Sequence, residues 1–213
     1  MASSAPHKRD SHPHRSKMIN KTIRTFYITA IAIFSFAIIA SAQTSPKAFP
    51  NINIENFGQM DEHYYRGAQP KAEDYKALAG MGINTIVDLR DDPVKDEKAE
   101  VEASGMKYIN IPMSGFKSPR DETMVEFLKV ANDPAAGNIY VHCAGGIHRT
   151  GVTGAIYRFE KYGWNYDRAY QEMKNYNFTV GLVHGALKSY VQKYAQRIEA
   201  QKTSVATSNT KDN

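Results

Sequence analysis

"VHCAGGIHRTG", residues 141–151, follows the short β-rich run "IYVH" at 139–142 and leads into a helical pattern in which Val152, Ala155, Ile156 and Phe159 share one face. Strand, glycine-containing loop and helix in that order bring backbone N–H groups and the positive end of a helix dipole to one spot, which makes an anion site. Gly145 and Gly146 let the chain curl and remove side chains that would block approach, so successive amides can form a nest. Arg149 adds a planar fork suited to two phosphate oxygens. In the same field sits Cys143, the only cysteine of the chain, with His142 and Thr150 placed around its sulfur. Thiolates are stabilised at helix N-termini and beside cations, so this thiol is expected to lose its proton readily and act as a nucleophile at the base of a phosphate cradle.

Outward from the loop, short β-rich runs alternate with longer helical patterns, and no repeat or Gly/Ser linker interrupts residues 48–200. "HYYRG" reads as an early strand, "KAEDYKALAGMG" as a helix stopped by Gly80 and Gly82, and "INTIVDLR" as a strand. A charged helix in "VKDEKAEVEASG" and the strand "MKYINIP" follow. The segment 118–133 predicts a helix with Ser118 as N-cap, Pro119 at its first position and an apolar stripe at Met124, Val125, Leu128 and Val130. Two further helices are expected over 166–176 and 180–200, then a polar, disordered tail over 201–213. Such alternation implies one α/β unit, a three-layer α/β/α domain around a mostly parallel sheet of four to five strands.

The first 42 residues read differently. Lys17, Lys21 and Arg24 precede an apolar stretch from Phe26 to Ala40, and Ala40-Ser41-Ala42 is a small-x-small cleavage pattern that would leave Gln43 as the new N-terminus. Met18 opens a more typical signal peptide than Met1. Export to the periplasm or the medium is the expectation; the alternative is a membrane anchor over residues 26–42, the only membrane contact the sequence suggests. Six of the 27 Lys/Arg and one of the 22 Asp/Glu lie in residues 1–42, leaving 21 of each in a neutral mature chain. The basic balance of the whole chain is therefore no argument for a nucleic acid partner. One cysteine excludes an internal disulfide and a thiolate metal cage, and no His/carboxylate spacing suggests a metal or other cofactor.

"HCAGGIHRTG" resembles the His-Cys-x5-Arg-Thr/Ser signature of the cysteine-dependent protein tyrosine and dual-specificity phosphatases, and "YYRGAQP", "GINTIVDLR" and "GMKYINIPM" resemble small bacterial dual-specificity-type domains in order and spacing. The resemblance implies that residues 43–200 form such a domain, acting on a phosphorylated protein or a small phosphate ester. Cys143 would attack phosphorus and form a phosphocysteine. The amides of Ala144, Gly145, Gly146, Ile147, His148 and Arg149, with the Arg149 side chain, would bind the equatorial oxygens, and Thr150 would assist the departing thiolate. His142 would act behind the loop; Asp88 and Arg66 read first as strand-end ion pairing, the alternative being that they orient the loop from behind.

The family also places an aspartic acid some thirty residues upstream to protonate the leaving oxygen, and there the sequence departs, with Ser114 in "IPMSGFKSP". Asp121 and Glu122 are the nearest acids, both also suited to a helix first turn, and Asp121 is the candidate for that general acid; Asp91 and Asp92 are outsiders. Trp164 reads as helix-junction packing, His184 as a core or surface histidine, and His148 as either a shaper of substrate access or a solvent-facing residue. Other readings of the loop are an exported inositol-phosphate phosphatase, which should surround it with more than Lys117 and Arg120, a rhodanese-type sulfurtransferase, and a phosphate-binding module without turnover.

Overall fold

The chain divides into two units, Met1–Ser45 and Pro46–Asn213. The structure, a computed structural model, describes Phe49 and residues 51–209, so the signal segment and its alternative as an anchor lie outside the described residues. Five strands, β1 (Gly58–Gln59), β2 (Tyr64–Gly67), β3 (Ile83–Arg90), β4 (Lys107–Met113) and β5 (Asn138–His142), form one sheet in the order β1-β2-β5-β3-β4. Only β1 runs antiparallel, to β2; β2, β5, β3 and β4 are mutually parallel. Six helices follow in the described residues: α1 (Ala72–Gly80), α2 (Glu97–Ala103), α3 (Asp121–Ala131), α4 (His148–Tyr162), α5 (Tyr166–Asn175) and α6 (Gly185–Asn209).

Side chains alternate across the sheet, and the alternation sorts them into two cores. Tyr64, Val87, Leu89, Ile111 and Val141 pack with residues of α3 to α6, while Tyr65, Ile86 and Tyr140 pack with Tyr75 and Leu78 of α1 and Val101 of α2. The sheet is thus the middle of three layers, as the alternation of elements implies. β5 lies between two parallel neighbours and is buried from Ile139 to His142, which explains its near-continuous apolar run. α4 lies under the other helices and is buried without a break from Thr150 to Phe159. It stops at Gly163, whose φ of 61° admits the left-handed cap, with Gly163 N–H donating to Phe159 and Trp164 N–H to Arg158.

Three boundaries, one buried face and one strand differ from the sequence expectation. α3 begins at Asp121 with Arg120 as an extended N-cap, because Ser118 turns its hydroxyl to the Ala186 carbonyl (3.3 Å) instead of capping. Its buried face is Thr123, Met124 and Phe127, and Val125 is exposed. The last helix starts at Gly185, leaving 180–184 as a loop, and continues to Asn209, so most of the segment expected as a disordered tail is helical. β1, two residues long, carries no pattern a sequence reading can detect.

Candidate active site

Residues 143–147 connect the C-terminal end of β5 to the N-terminus of α4, whose first two residues are His148 and Arg149. What shapes this loop is the fate of its carbonyls. Ala144 O accepts from the Gln69 N–H (3.1 Å), Gly145 O from Asn56 Nδ2 (2.7 Å), and Gly146 O from the Arg66 guanidinium. In a trans peptide the C=O of one residue opposes the N–H of the next. Three carbonyls drawn outward therefore turn the amides of Gly145, Gly146 and Ile147 inward, and the Ile147 amide bonds the sulfur. Gly146 holds φ at 64°, and a Cβ there would run into the backbone of Gly67 and Ala68, so the tight seat against β2 requires glycine.

Cys143 is 3% exposed, and burial alone would raise its pKa. The Thr150 hydroxyl and amide, the Arg149 charge and the Ile147 amide overcome that effect and bring the thiol below its ordinary value. The Thr150 hydroxyl is buried and has no oxygen or nitrogen partner among the described residues, which reserves it for the sulfur. Arg149 is anchored through one nitrogen: Nη1 donates to Asp91 Oδ1 (2.8 Å) and to the Met113 carbonyl (3.2 Å). Its Nε and Nη2 have no protein partner among the described residues and remain for an anion.

Behind the loop, fully buried His142 sits between two buried carboxylates, with Glu97 Oε1 2.9 Å from Nε2 and Asp88 Oδ1 3.9 Å from Nδ1. Tyr75 donates to Glu97 and Tyr108 to Asp88, each at 2.9 Å. Burial pushes Glu97 up, but His142, Gln69 and Tyr75 together hold it below its usual range; burial raises Asp88. Asp88, Glu97 and His142 are the one group of metal-ligand type among the described residues. The two carboxylates sit at opposite ring nitrogens of His142. The group reads as a polar brace for the loop. Arg66, also fully buried, has no carboxylate partner among the described residues; the Tyr176 ring lies 4.0 Å from its guanidinium carbon. It is thus a loop anchor rather than half of a strand-end ion pair.

A pocket of about 280 Å³ opens over Cys143 and Arg149. One wall is aromatic: His148 stacks on His184 at 3.4 Å, and His184 on Phe116 at 5.8 Å. His148 is held by the Thr179 carbonyl and His184 by the Gly115 carbonyl, each at 2.9 Å. Burial lowers the His148 pKa. His184 is therefore a pocket residue, and sequence gives no cue because it reaches the site from the loop before α6. Trp164 packs at the helix junction, its ring 4.4 Å from Arg158 and 3.8 Å from Arg168.

Asp121 does not line the pocket. It accepts from Tyr190 (2.7 Å) and Arg197 (2.8 Å), which lower its pKa, and its place outside the pocket is what removes it as general acid. Asp91 and Asp92 do line the pocket, and so do Gly115 and Phe116 next to Ser114. Asn56, Gln69 and Glu97 carry no sequence signal either: the first two act on backbone far along the chain, and Glu97 looks like any acid of a charged helix.

Residues 45–202 match the family model described as DSP-PTPase phosphatase fused to NAD+ kinase. The chain belongs to this DSP-PTPase family. Among curated relatives it is similar to the dual specificity protein phosphatase TpbA of Pseudomonas aeruginosa, 26% identical over 129 residues that cover 61% of this chain and 56% of TpbA. The inositol diphosphatase DSP3 of Arabidopsis thaliana is 29% identical over 101 residues, 45% of this chain and 50% of that protein. The chain thus spans about half the length of these DSP-PTPase relatives. Among solved structures, the core catalytic domain of the PP-IP phosphatase SIW14 from S. cerevisiae superposes with a TM-score of 0.59 at 22% identity, covering 71% of this chain and 95% of that one. TpbA in complex with pTyr gives 0.56 at 22% identity, covering 64% and 83%. These likenesses show that the three-layer fold is that of the cysteine phosphatases.

Proposed function

We propose that this DSP-PTPase chain hydrolyses phosphate monoesters through a phosphocysteine, with aryl esters of the phosphotyrosine type as its substrates. The single observation that carries the reading is the loop itself: three outward carbonyls leave inward amides around an acidified thiol, beside an arginine with two open donors. Cys143 attacks phosphorus as the ester bond breaks. The amides and Arg149 hold the equatorial oxygens, whose charge grows in the transition state. Water then splits the S–P bond while the Thr150 hydroxyl takes up the returning thiolate's charge. The aromatic wall of Phe116, His184 and His148 suits a phenyl ring. Two aspartates against one arginine at the mouth disfavour substrates that carry several phosphates. Relatives support the class, since TpbA has been solved with pTyr.

A second reading, hydrolysis of inositol diphosphates, has its own support. Ser114 stands where the family places an acid, and a phosphate leaving group needs no proton, unlike an alcohol; relatives include an inositol diphosphatase. Phosphate release from a phosphotyrosyl peptide, phytate and a diphosphoinositol, measured side by side, separates the two. Preference for the peptide, inhibition by vanadate and insensitivity to EDTA are expected; preference for the diphosphate overturns the first reading. We also propose export through residues 1–42, which mass determination of the mature N-terminus at Gln43 and cell fractionation would check.

A further inference from the structure

Resting on the phosphotyrosine-type reading, the reaction needs a proton donor, because an unactivated phenolate is a poor leaving group and departs faster when a carboxyl protonates its oxygen as the ester bond breaks. Of the acids in the described residues, only Asp91 and Asp92 line the pocket. Asp92 is 74% exposed and tied to Arg90 at 3.2 Å. Asp91 differs in three ways. It is the first residue beyond the C-terminal end of β3, and β3 pairs in parallel with β5 in a register that sets Asp88 against His142, so both strands deliver their next residues to the same edge. Its Oδ1 lies 2.8 Å from Arg149 Nη1, the nitrogen that points away from the anion donors Nε and Nη2. Its Oδ2 has no partner among the described residues.

We propose that Asp91 is the catalytic acid of this enzyme, supplied by the β3–α2 loop in place of the usual position at residue 114. Arg149 holds the carboxyl in the pocket lining through one oxygen and leaves the other for the leaving group. In the first step the S–P bond forms, the P–O ester bond breaks, and the carboxyl proton passes to the departing oxygen. In the second, the resulting carboxylate takes a proton from the water that attacks phosphorus, the S–P bond breaks, and the thiolate and protonated Asp91 are restored.

The test compares Asp91→Asn with the full parent chain on phenyl phosphate and on p-nitrophenyl phosphate, whose leaving group needs little protonation. General-acid loss typically costs roughly a hundredfold or more, so a loss of that order in kcat is expected on phenyl phosphate with a much smaller one on the nitrophenyl ester. Asp121→Asn should keep the parent's ratio between the two esters. Equal losses on both esters from Asp91→Asn would make Asp91 only a holder of Arg149, and an unchanged rate on phenyl phosphate would remove it from the reaction; either overturns the proposal. A thermal melt matching the parent's assigns the rate change to chemistry, and Asp91→Glu should restore part of the phenyl phosphate rate. A parent chain that releases phosphate from neither ester would instead sink the phosphatase reading itself.

Discussion

At the residue scale the loop makes two sharp demands. With its acidity raised by Thr150, Arg149 and the Ile147 amide, Cys143 should be alkylated by iodoacetamide with an inflection below the ordinary thiol value of 9.0. Thr150→Val should move that inflection upward, and added phosphate should slow the reaction. Gly146→Ala forces a Cβ into the Gly67 and Ala68 backbone at a positive φ, a strain of about 1–3 kcal/mol. The variant should show a lower urea midpoint and lose vanadate binding. Cys143, Arg149 and Thr150 are legible in sequence because their spacing lies within one loop. Asp91, His184 and Asn56 are not, because each reaches the loop from an element dozens of residues away, and only the sheet register and helix packing bring it there.

Elements show the same division between local and distant causes. α4 is readable from the spacing of Val152, Ala155, Ile156 and Phe159, although its other residues from Thr150 to Phe159 are buried with them. α3 is readable as a helix but not in its face: Val125 keeps the apolar spacing yet points outward, and Phe127 carries the contact. Phe127 is fully buried against Tyr64, ring centroids 6.1 Å apart. Phe127→Ala should therefore cost about 3–5 kcal/mol in urea unfolding, whereas Val125→Ala should change stability little. The misplaced N-cap has a tertiary reason, since Ser118 spends its hydroxyl on α6 rather than on its own helix. The composition of 201–209 fails as a guide because these residues, many of low helix propensity, continue a helix already nucleated by the packed Leu187 and Val191.

For the whole molecule, fold class follows from the order of strands and helices, but the placement of β5 between β2 and β3 does not; it requires knowing which strands pair. Acid stability is another whole-chain property. Asp61, bonded by Tyr157, Tyr162 and the amides of His63 and Tyr64, overcomes its burial and is lowered from 3.8 to about 2. A carboxyl depressed on folding contributes stability that is present above its unfolded value and fades as pH falls toward the folded one. Stability should therefore drop between pH 4 and 2, and Asp61→Asn should flatten that drop in thermal melts across the interval. The solitary sulfur offers a different kind of return. Because the chain has one cysteine and it is 3% exposed at the foot of the pocket, labelling after denaturation counts molecules. Labelling that phosphate suppresses in the native state counts competent centres, so their ratio gives the working fraction of any preparation without a reporter or a known substrate.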